Sequence, residues 1–145
     1  MDRLLIEEKL ESLRRCLSRI EEKCPSSVDE LESDVDLQDI ITLNLTRAVQ
    51  LSVDIAAHWV ASCDDLPAPG TMGGMFDALV QKGFIDKETG ARMRASVGFR
   101  NVAVHNYESI DWRIVFAICT THTRDLADFA KAVDRALTES EKRTQ

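Results

Sequence analysis

Apolar residues recur along most of this chain at spacings of three and four, which is the pattern of an amphipathic helix. The first such stripe predicts a helix over residues 3–23, ended by Cys24 and Pro25. The acidic segment 28–35 fits either a loop or a short turn of helix. A longer stripe predicts a second helix over residues 36–62. Its inward positions are Ile41, Leu45, Ala48, Ser52, Ile55 and Trp59.

The second half of the chain carries three more helical patterns. A Pro- and Gly-rich loop over residues 64–74 precedes a third helix from Met72 to Lys82, capped by Thr71 and ended by Gly83. A fourth helix starts near Lys87 and runs to a break at residues 106–111. The last helix spans residues 112–138, and a frayed tail is expected from about 138. The interior positions expected for this helix are Trp112, Val115, Phe116, Cys119, Leu126, Phe129, Ala130 and Val133.

These patterns predict an all-α fold, an antiparallel bundle of four to five helices forming a single domain over residues 1–145. The hydrophobic fraction of 44% is sufficient for a core. No apolar run is long enough for a membrane span, and the charged N-terminus does not resemble a signal peptide. We therefore expect a cytoplasmic protein with no membrane association.

Charge is unevenly distributed along the chain, whose net charge is −7. Residues 1–40 hold 12 acidic and 6 basic residues, whereas residues 91–105 contain three arginines and no acidic residue. The overall acidity argues against general affinity for nucleic acid, but the local basic stretch permits a focused phosphate site.

Two patterns that suggest ligand sites are better explained otherwise. The glycines near residue 70 lack the Lys-Ser/Thr ending and the preceding strand of a phosphate-binding loop. The four cysteines show no CxxC pairing, so we interpret them as reduced thiols acting as small apolar residues rather than metal ligands. No metal or cofactor is therefore expected.

The stretch "GFRNVAVHNYESID", residues 98–111, gathers the candidate chemistry. Asn101 and His105 lie on one helical stripe, whereas Arg100 and His105 are about 140° apart around the axis and about 7.5 Å apart along it. Two chains related by a twofold axis would place two Arg and two His around one cleft. An imidazole exchanges protons near neutral pH and a guanidinium binds phosphate, which suits RNA cleavage through the ribose 2′-OH.

Simpler interpretations exist for these polar residues. Arg and His at a helix end commonly interact with the helix dipole, and Tyr107 could be an interface or core aromatic. On the second helix, Asp54 and His58 could orient Arg100 or each other, and Arg47 could contact a partner subunit or RNA. A solvated or interfacial face explains this polar stripe equally well. A further histidine, His122 on the last helix, is interpreted as structural, as is His58. The acidic residues from 29 to 39 are either a surface for partner docking or a solvated loop.

The segment "FRNVAVHNY" resembles the Arg-x4-His-x-Tyr signature of the HEPN superfamily and, within it, the HepT-type toxins of HEPN/MNT toxin–antitoxin modules. Arg-x4-His alone is a weak signal, but Phe99, Asn101 and Tyr107 strengthen it. The segments "AVQLSVDIAAHWV", "FDALVQKGFIDKETGARMRASVGFRN" and "RDLADFAKAV" are also similar to the family. The resemblance spans roughly residues 36–135.

The resemblance implies an all-helical homodimer that acts as a metal-independent endoribonuclease, the toxin of a type VII-like module. It places the catalytic residues at Arg100 and His105 and a supporting residue at Asn101. It makes Tyr107 the residue onto which the antitoxin, an MNT-type nucleotidyltransferase, transfers AMP. Partners would be RNA, the antitoxin and a second copy of the chain, with larger assemblies of toxin and antitoxin an open alternative.

Two other functions fit the same residues. A non-catalytic HEPN protein would use Arg100 and His105 to bind nucleotide or substrate for a nucleotidyltransferase. A plain helical dimerisation domain would leave both residues without a chemical role. Intact Arg and His in the motif favour the enzyme slightly.

Overall fold

Seven α-helices account for most of residues 2–144, the part of the chain that the computed structural model describes. They are α1 (Arg3–Lys23), α2 (Val28–Ser33), α3 (Val35–Ala61), α4 (Met72–Gln81), α5 (Lys87–His105), α6 (Trp112–Ala117) and α7 (Thr123–Thr144). No strand occurs within residues 2–144. The predicted all-α bundle is confirmed: five helices of ten or more residues form it, and α2 and α6 are short. None of the helices in this range is long and apolar enough to cross a lipid bilayer.

Side-chain oxygens cap the beginnings of six helices. Each accepts a hydrogen bond from a backbone N–H of the first turn, which satisfies a donor that has no partner inside the helix. The caps are Asp2, Ser27, Asp34, Thr71, Asp86 and Asp111. Just after α4, Gly83 has a φ of +76°, a left-handed conformation that favours glycine. The predicted starts of the third and fourth helices, at Met72 and Lys87, are confirmed.

Two apolar clusters form the interior. The larger joins α1, α3, α4, α5 and α7, and Phe76 meets Phe129 edge-on within it, with ring centroids 5.4 Å apart. The smaller joins one end of α1 and α3 to α2 and α6. Its buried members are Ile20, Leu31, Ile41, Leu45, Val115 and Cys119. Phe99 and Trp112 pack against this second cluster, so it supports the C-terminal end of α5.

Three expectations about local structure needed correction or completion. Residues 28–33 are helical, which decides the open choice at the acidic segment. The single last helix predicted over residues 112–138 is wrong: residues 118–122 form a π-helical turn between α6 and α7. This segment is rich in β-branched residues, and Thr120 Oγ1 donates to the Phe116 carbonyl, a back-bond that often accompanies a distorted helix. α7 also continues to Thr144, so the tail expected to fray from 138 is helical over that range; Gln145 lies outside the described residues.

Candidate functional site

The motif residues lie where α5 ends. Arg100 and Asn101 occupy its last turns, His105 is its final residue, and Tyr107 opens the 3-10 turn that follows. Asn106 ends the helix with φ −151° and ψ 57°, which turns the chain away from the helical path. The break expected at residues 106–111 is thus confirmed.

Arg100 is half-buried and has no carboxylate partner. Its Nη1 donates to Asn101 Oδ1 at 3.1 Å, while its Nε is buried and has no hydrogen-bond partner among residues 2–144. Most buried polar atoms in proteins are satisfied, so an unsatisfied guanidinium nitrogen is a feature that calls for a ligand or a neighbouring chain. No Asp or Glu in the described range forms an ion pair with Arg100. Its charge is therefore not neutralised by a carboxylate within the described residues.

His105 is exposed at the last position of α5. Its imidazole makes no hydrogen bond or ion pair within residues 2–144, and none joins it to Arg100. One protomer therefore presents the two side chains at the same helix end without linking them. This matches the offset of about 140° that helical geometry predicts.

Tyr107 is tied to a residue that the sequence analysis did not single out. Its hydroxyl donates to Asp39 Oδ1 at 2.9 Å, across 68 positions of the chain. Its ring meets Trp112 edge-on, with centroids 6.0 Å apart. Partial burial, then the hydrogen bond to Asp39 and its charge, raise the pKa of Tyr107 above that of a free phenol. No local sequence pattern could have revealed the Asp39 contact, because Asp39 and Tyr107 belong to elements that are far apart in the sequence.

Several exposed large apolar side chains lie close to the motif along the chain. Four of the large hydrophobic side chains that are exposed in the described range lie between residues 102 and 114: Val102, Val104, Tyr107 and Ile114. Ile114 is the most exposed of the four, at 55%. Clustered exposed apolar side chains mark contact surfaces more often than scattered ones do.

Within one protomer, residues of the polar stripe of α3 make contacts of their own. Asp54 accepts a hydrogen bond from Gln50 at 3.0 Å and lies 3.6 Å from Lys9 Nζ, and it forms no ion pair with Arg100 within residues 2–144 of one protomer. His58 is exposed near the end of α3. Arg47 lines a groove between α1 and α3, together with Arg15 and Arg19.

His122 has a partner that spacing alone did not reveal. Its Nδ1 lies 3.5 Å from Asp125 Oδ2, and Arg92 Nε lies 3.6 Å from Asp125 Oδ1. Asp125 is only 8% exposed, so its carboxylate binds the π-helical turn to α5 from inside the bundle. The structural interpretation of His122 therefore has a specific basis in the Asp125 contact.

The cysteines are free thiols, and Cys16 and Cys119 are buried. Burial raises the pKa of Cys119 to about 12, assisted by the neighbouring Cys24. Thiolates are the form that binds metals and attacks electrophiles, so this thiol is chemically inert near neutral pH. Among residues 2–144, no three His, Cys, Asp or Glu side chains are grouped in a way that would hold a metal ion.

Comparison with known proteins finds consistent similarities. Residues 13–133 match the model of the HepT-like family, described as ribonuclease HepT-like. The mRNA nuclease HepT of Shewanella oneidensis is 29% identical over 129 residues, covering 89% of this chain and 96% of that protein. The tri-AMPylated HEPN toxin of Shewanella oneidensis, solved in complex with its MNT antitoxin, superposes with a TM-score of 0.84 at 28% identity, covering 93% of this chain and 99% of that one. A chain from a toxin–antitoxin crystal structure with AMP-PNP gives a TM-score of 0.83 at 28% identity, over 90% and 97% of the two chains.

Proposed function

This chain belongs to the HepT-like ribonuclease family, and on that premise we propose that it is the toxin of a type VII-like HEPN/MNT module. The resemblance inferred from "FRNVAVHNY" is confirmed by the family match. In the proposed activity it is a metal-independent endoribonuclease that cuts RNA at a cleft between two copies of the chain. It would act in the cytoplasm, and its MNT-type nucleotidyltransferase antitoxin would silence it by transferring AMP onto Tyr107.

The state of Arg100 is the observation that carries this proposal. A half-buried guanidinium without a carboxylate partner is uncommon in a chain of net charge −7, in which most other arginines of α1 and α5 are paired. The hydrogen bond that Arg100 Nη1 donates to Asn101 Oδ1 directs the guanidinium without neutralising its charge. A phosphodiester offers the forked oxygen pair that such a group binds best.

Cleavage would use the ribose as its own nucleophile. The 2′-OH attacks the adjacent phosphorus, and the departing 5′ oxygen must take up a proton. His105 would move one of these protons, since it is exposed and free of other contacts in the described range. Arg100 would stabilise the charge that gathers on the phosphorane oxygens. None of these roles requires a metal ion.

A second copy of the chain would complete the site. One protomer holds a single Arg100 and a single His105, which share a helix end but no contact. The exposed Val102, Val104 and Ile114 around them supply an apolar surface suited to a twofold contact. Such a contact would place two guanidinium and two imidazole groups around one phosphate-sized cleft.

AMP transfer onto Tyr107 would inhibit this site by charge and bulk. Tyr107 lies two positions beyond His105, and 41% of its surface is exposed. A phosphodiester-linked nucleotide there would add negative charge next to Arg100 and His105 and would repel RNA. The tri-AMPylated relative supports this role for a HEPN toxin.

The decisive experiment incubates the purified protein with RNA in the presence of a chelator. We expect cleavage by the wild-type protein and losses of at least about 100-fold in Arg100→Ala and His105→Ala, in line with removal of a charge stabiliser or a proton-transfer group. Arg124→Ala is a matched control, because Arg124 lies on α7 away from the motif and forms no ion pair within residues 2–144.

Each alternative outcome has a clear meaning. Intact RNA with measurable nucleotide binding by calorimetry would identify the non-catalytic binding partner instead. Cleavage that survives either motif substitution would exclude the assigned roles. Cleavage that disappears in chelator and returns with a divalent cation would exclude metal independence while leaving the nuclease assignment intact.

A further inference from the structure

Asp39 is placed to take part in the modification of Tyr107. The chain contains a single tyrosine, and its hydroxyl proton already points at Asp39 Oδ1, 2.9 Å away. Asp39 is exposed on α3 and makes no ion pair within residues 2–144. Its carboxylate therefore remains a free proton acceptor, and the cleavage chemistry described above does not use it.

The surroundings hold the phenol in this orientation. Trp112 contacts the ring edge-on, which limits rotation of the side chain. Thr42, three positions after Asp39 on α3, is 5% exposed, and its Oγ1 has no hydrogen-bond partner among the described residues. Interaction with the Thr42 hydroxyl lowers the pKa of Tyr107, while burial and Asp39 raise that pKa more strongly.

The raised pKa has a chemical consequence. The phenol of Tyr107 keeps its proton at neutral pH, because burial and the Asp39 charge both disfavour the phenolate. A neutral phenol is a poor nucleophile towards phosphorus. An efficient transfer therefore requires a group that removes the proton as the new bond forms.

We propose that Asp39 is the general base that accepts the proton of Tyr107 while the phenol oxygen attacks the α-phosphorus of a nucleoside triphosphate. The inference rests on the proposed function, in which the antitoxin delivers that triphosphate. It makes the toxin supply a catalytic group for its own silencing.

The step balances without further reactants. A bond forms between the phenol oxygen and the α-phosphorus, and the bond from that phosphorus to the oxygen bridging to the β-phosphate breaks. Pyrophosphate leaves with the electron pair, and the phenolic proton passes to Asp39 Oδ1. The carboxylate becomes neutral at this moment, so its repulsion of the transferred phosphate falls as the transfer proceeds.

The test compares Asp39→Asn with wild type in AMP transfer from ATP by the MNT-type antitoxin. Asn keeps the shape and accepts the phenolic hydrogen bond but is not a useful base. We expect a 10²- to 10⁴-fold slower transfer at neutral pH, the typical range for loss of a general base, with little change in KM for ATP. Asp36→Asn is the matched control, because Asp36 is exposed on the same helix and has no hydrogen bond or ion pair in the described range.

The pH profile separates catalysis from positioning. In Asp39→Asn only the ionised phenol can attack, so the rate should rise about tenfold per pH unit towards the pKa of the phenol. Wild type should be nearly independent of pH over the same interval. Equal rates for Asp39→Asn and wild type, or a slower rate with an unchanged profile, would overturn the assignment of Asp39 as the base.

Two further measurements distinguish a failure of the Asp39 assignment from a failure of the proposed function. Because Tyr107 is the only tyrosine, the ultraviolet absorbance of its phenolate can be titrated directly, and Asp39→Asn should lower its pKa. An unchanged titration would overturn the contact itself. Mass spectrometry of wild type after reaction locates the AMP: modification of a residue other than Tyr107 would overturn that part of the proposed function and, with it, the role of Asp39.

Discussion

Arg100 Nη1 and Asn101 Oδ1 lie 3.1 Å apart, so the side-chain amide of Asn101 directs the guanidinium of Arg100, the residue before it. The contact joins sequence neighbours that project from α5 at different angles. The oxygen that the guanidinium contacts belongs to a neutral amide, and no carboxylate in the described range pairs with the guanidinium. The charge of Arg100 is thus directed without being neutralised.

Replacing Asn101 should weaken catalysis less than replacing Arg100. A hydrogen bond to a charged group contributes about 1.5 to 3 kcal/mol, so Asn101→Ala should lower kcat/KM for RNA cleavage by roughly 10- to 100-fold. Asn106→Ala is the control, since the Asn106 side chain has no hydrogen bond within residues 2–144. A loss in Asn101→Ala that exceeds the loss in Arg100→Ala would mean that Asn101 contacts RNA itself.

Two glycines of α5 should respond to alanine in opposite directions. A Cβ on Gly90 would overlap Val80 Cγ2 across the contact with α4, whereas one on Gly98 would meet nothing within 4 Å. Gly90→Ala should lower the free energy of unfolding by about 1–2 kcal/mol through overpacking. Gly98→Ala should raise it by about 0.5–1 kcal/mol, because alanine restricts the unfolded chain and favours helix. Chemical denaturation of both variants measures the pair, and two shifts of the same sign would contradict the packing described here.

Asp125 should contribute to stability through its contacts with Arg92 and His122. Its carboxylate is buried and joins α5 to the π-helical turn. Both partners are partly exposed, which limits the stability that these contacts contribute. We expect Asp125→Ala to lower the free energy of unfolding by about 1–2 kcal/mol in urea titrations. Asp128→Ala should change it much less, because Asp128 forms no ion pair in residues 2–144. Equal losses in the two variants would show that these contacts contribute nothing specific.

Stability should fall in alkali because of Cys119. Its pKa is about 12 in the folded protein against 9.0 for an ordinary thiol, since burial favours the neutral form. Between these values the unfolded chain binds fewer protons than the folded one, so the free energy of unfolding falls as pH rises, by at most about 1.4 kcal/mol per pH unit from this group. At pH values below 9.0, the stabilising contribution of the neutral Cys119 thiol is fully present.

Cys119→Ala should flatten this dependence. The measurement is the free energy of unfolding of wild type and variant at about pH 8 and about pH 11. Cys63→Ala, in the loop after α3, is the control for general effects of cysteine removal. A fall of the same size in Cys119→Ala and wild type would place the alkaline sensitivity elsewhere.

The helices were predictable because their signals are local. The first helix ends where Cys24 and Pro25 interrupt its stripe, and Thr71 and Asp86 cap the third and fourth helices as expected. The placement of Arg100, His105 and Tyr107 at one helix end was predictable for the same reason, since they fall within eight positions of the chain. The π-helical turn was not predictable because the interior positions Cys119 and Leu126 are seven residues apart, a spacing that also fits a regular helix.

Only the tertiary structure decided which side chains meet. Spacing along a helix gives the direction of a side chain around its own axis, but the crossing and offset of two packed helices determine its partner. Asp39 therefore reaches Tyr107 across 68 positions, and Asp54 pairs with Lys9 instead of Arg100, without any local sign of either contact. The sequence determined the helices and the polar side chains that stand at the end of α5. Helix packing decided that the carboxylate of Asp39 would lie against Tyr107, the one phenol in the chain.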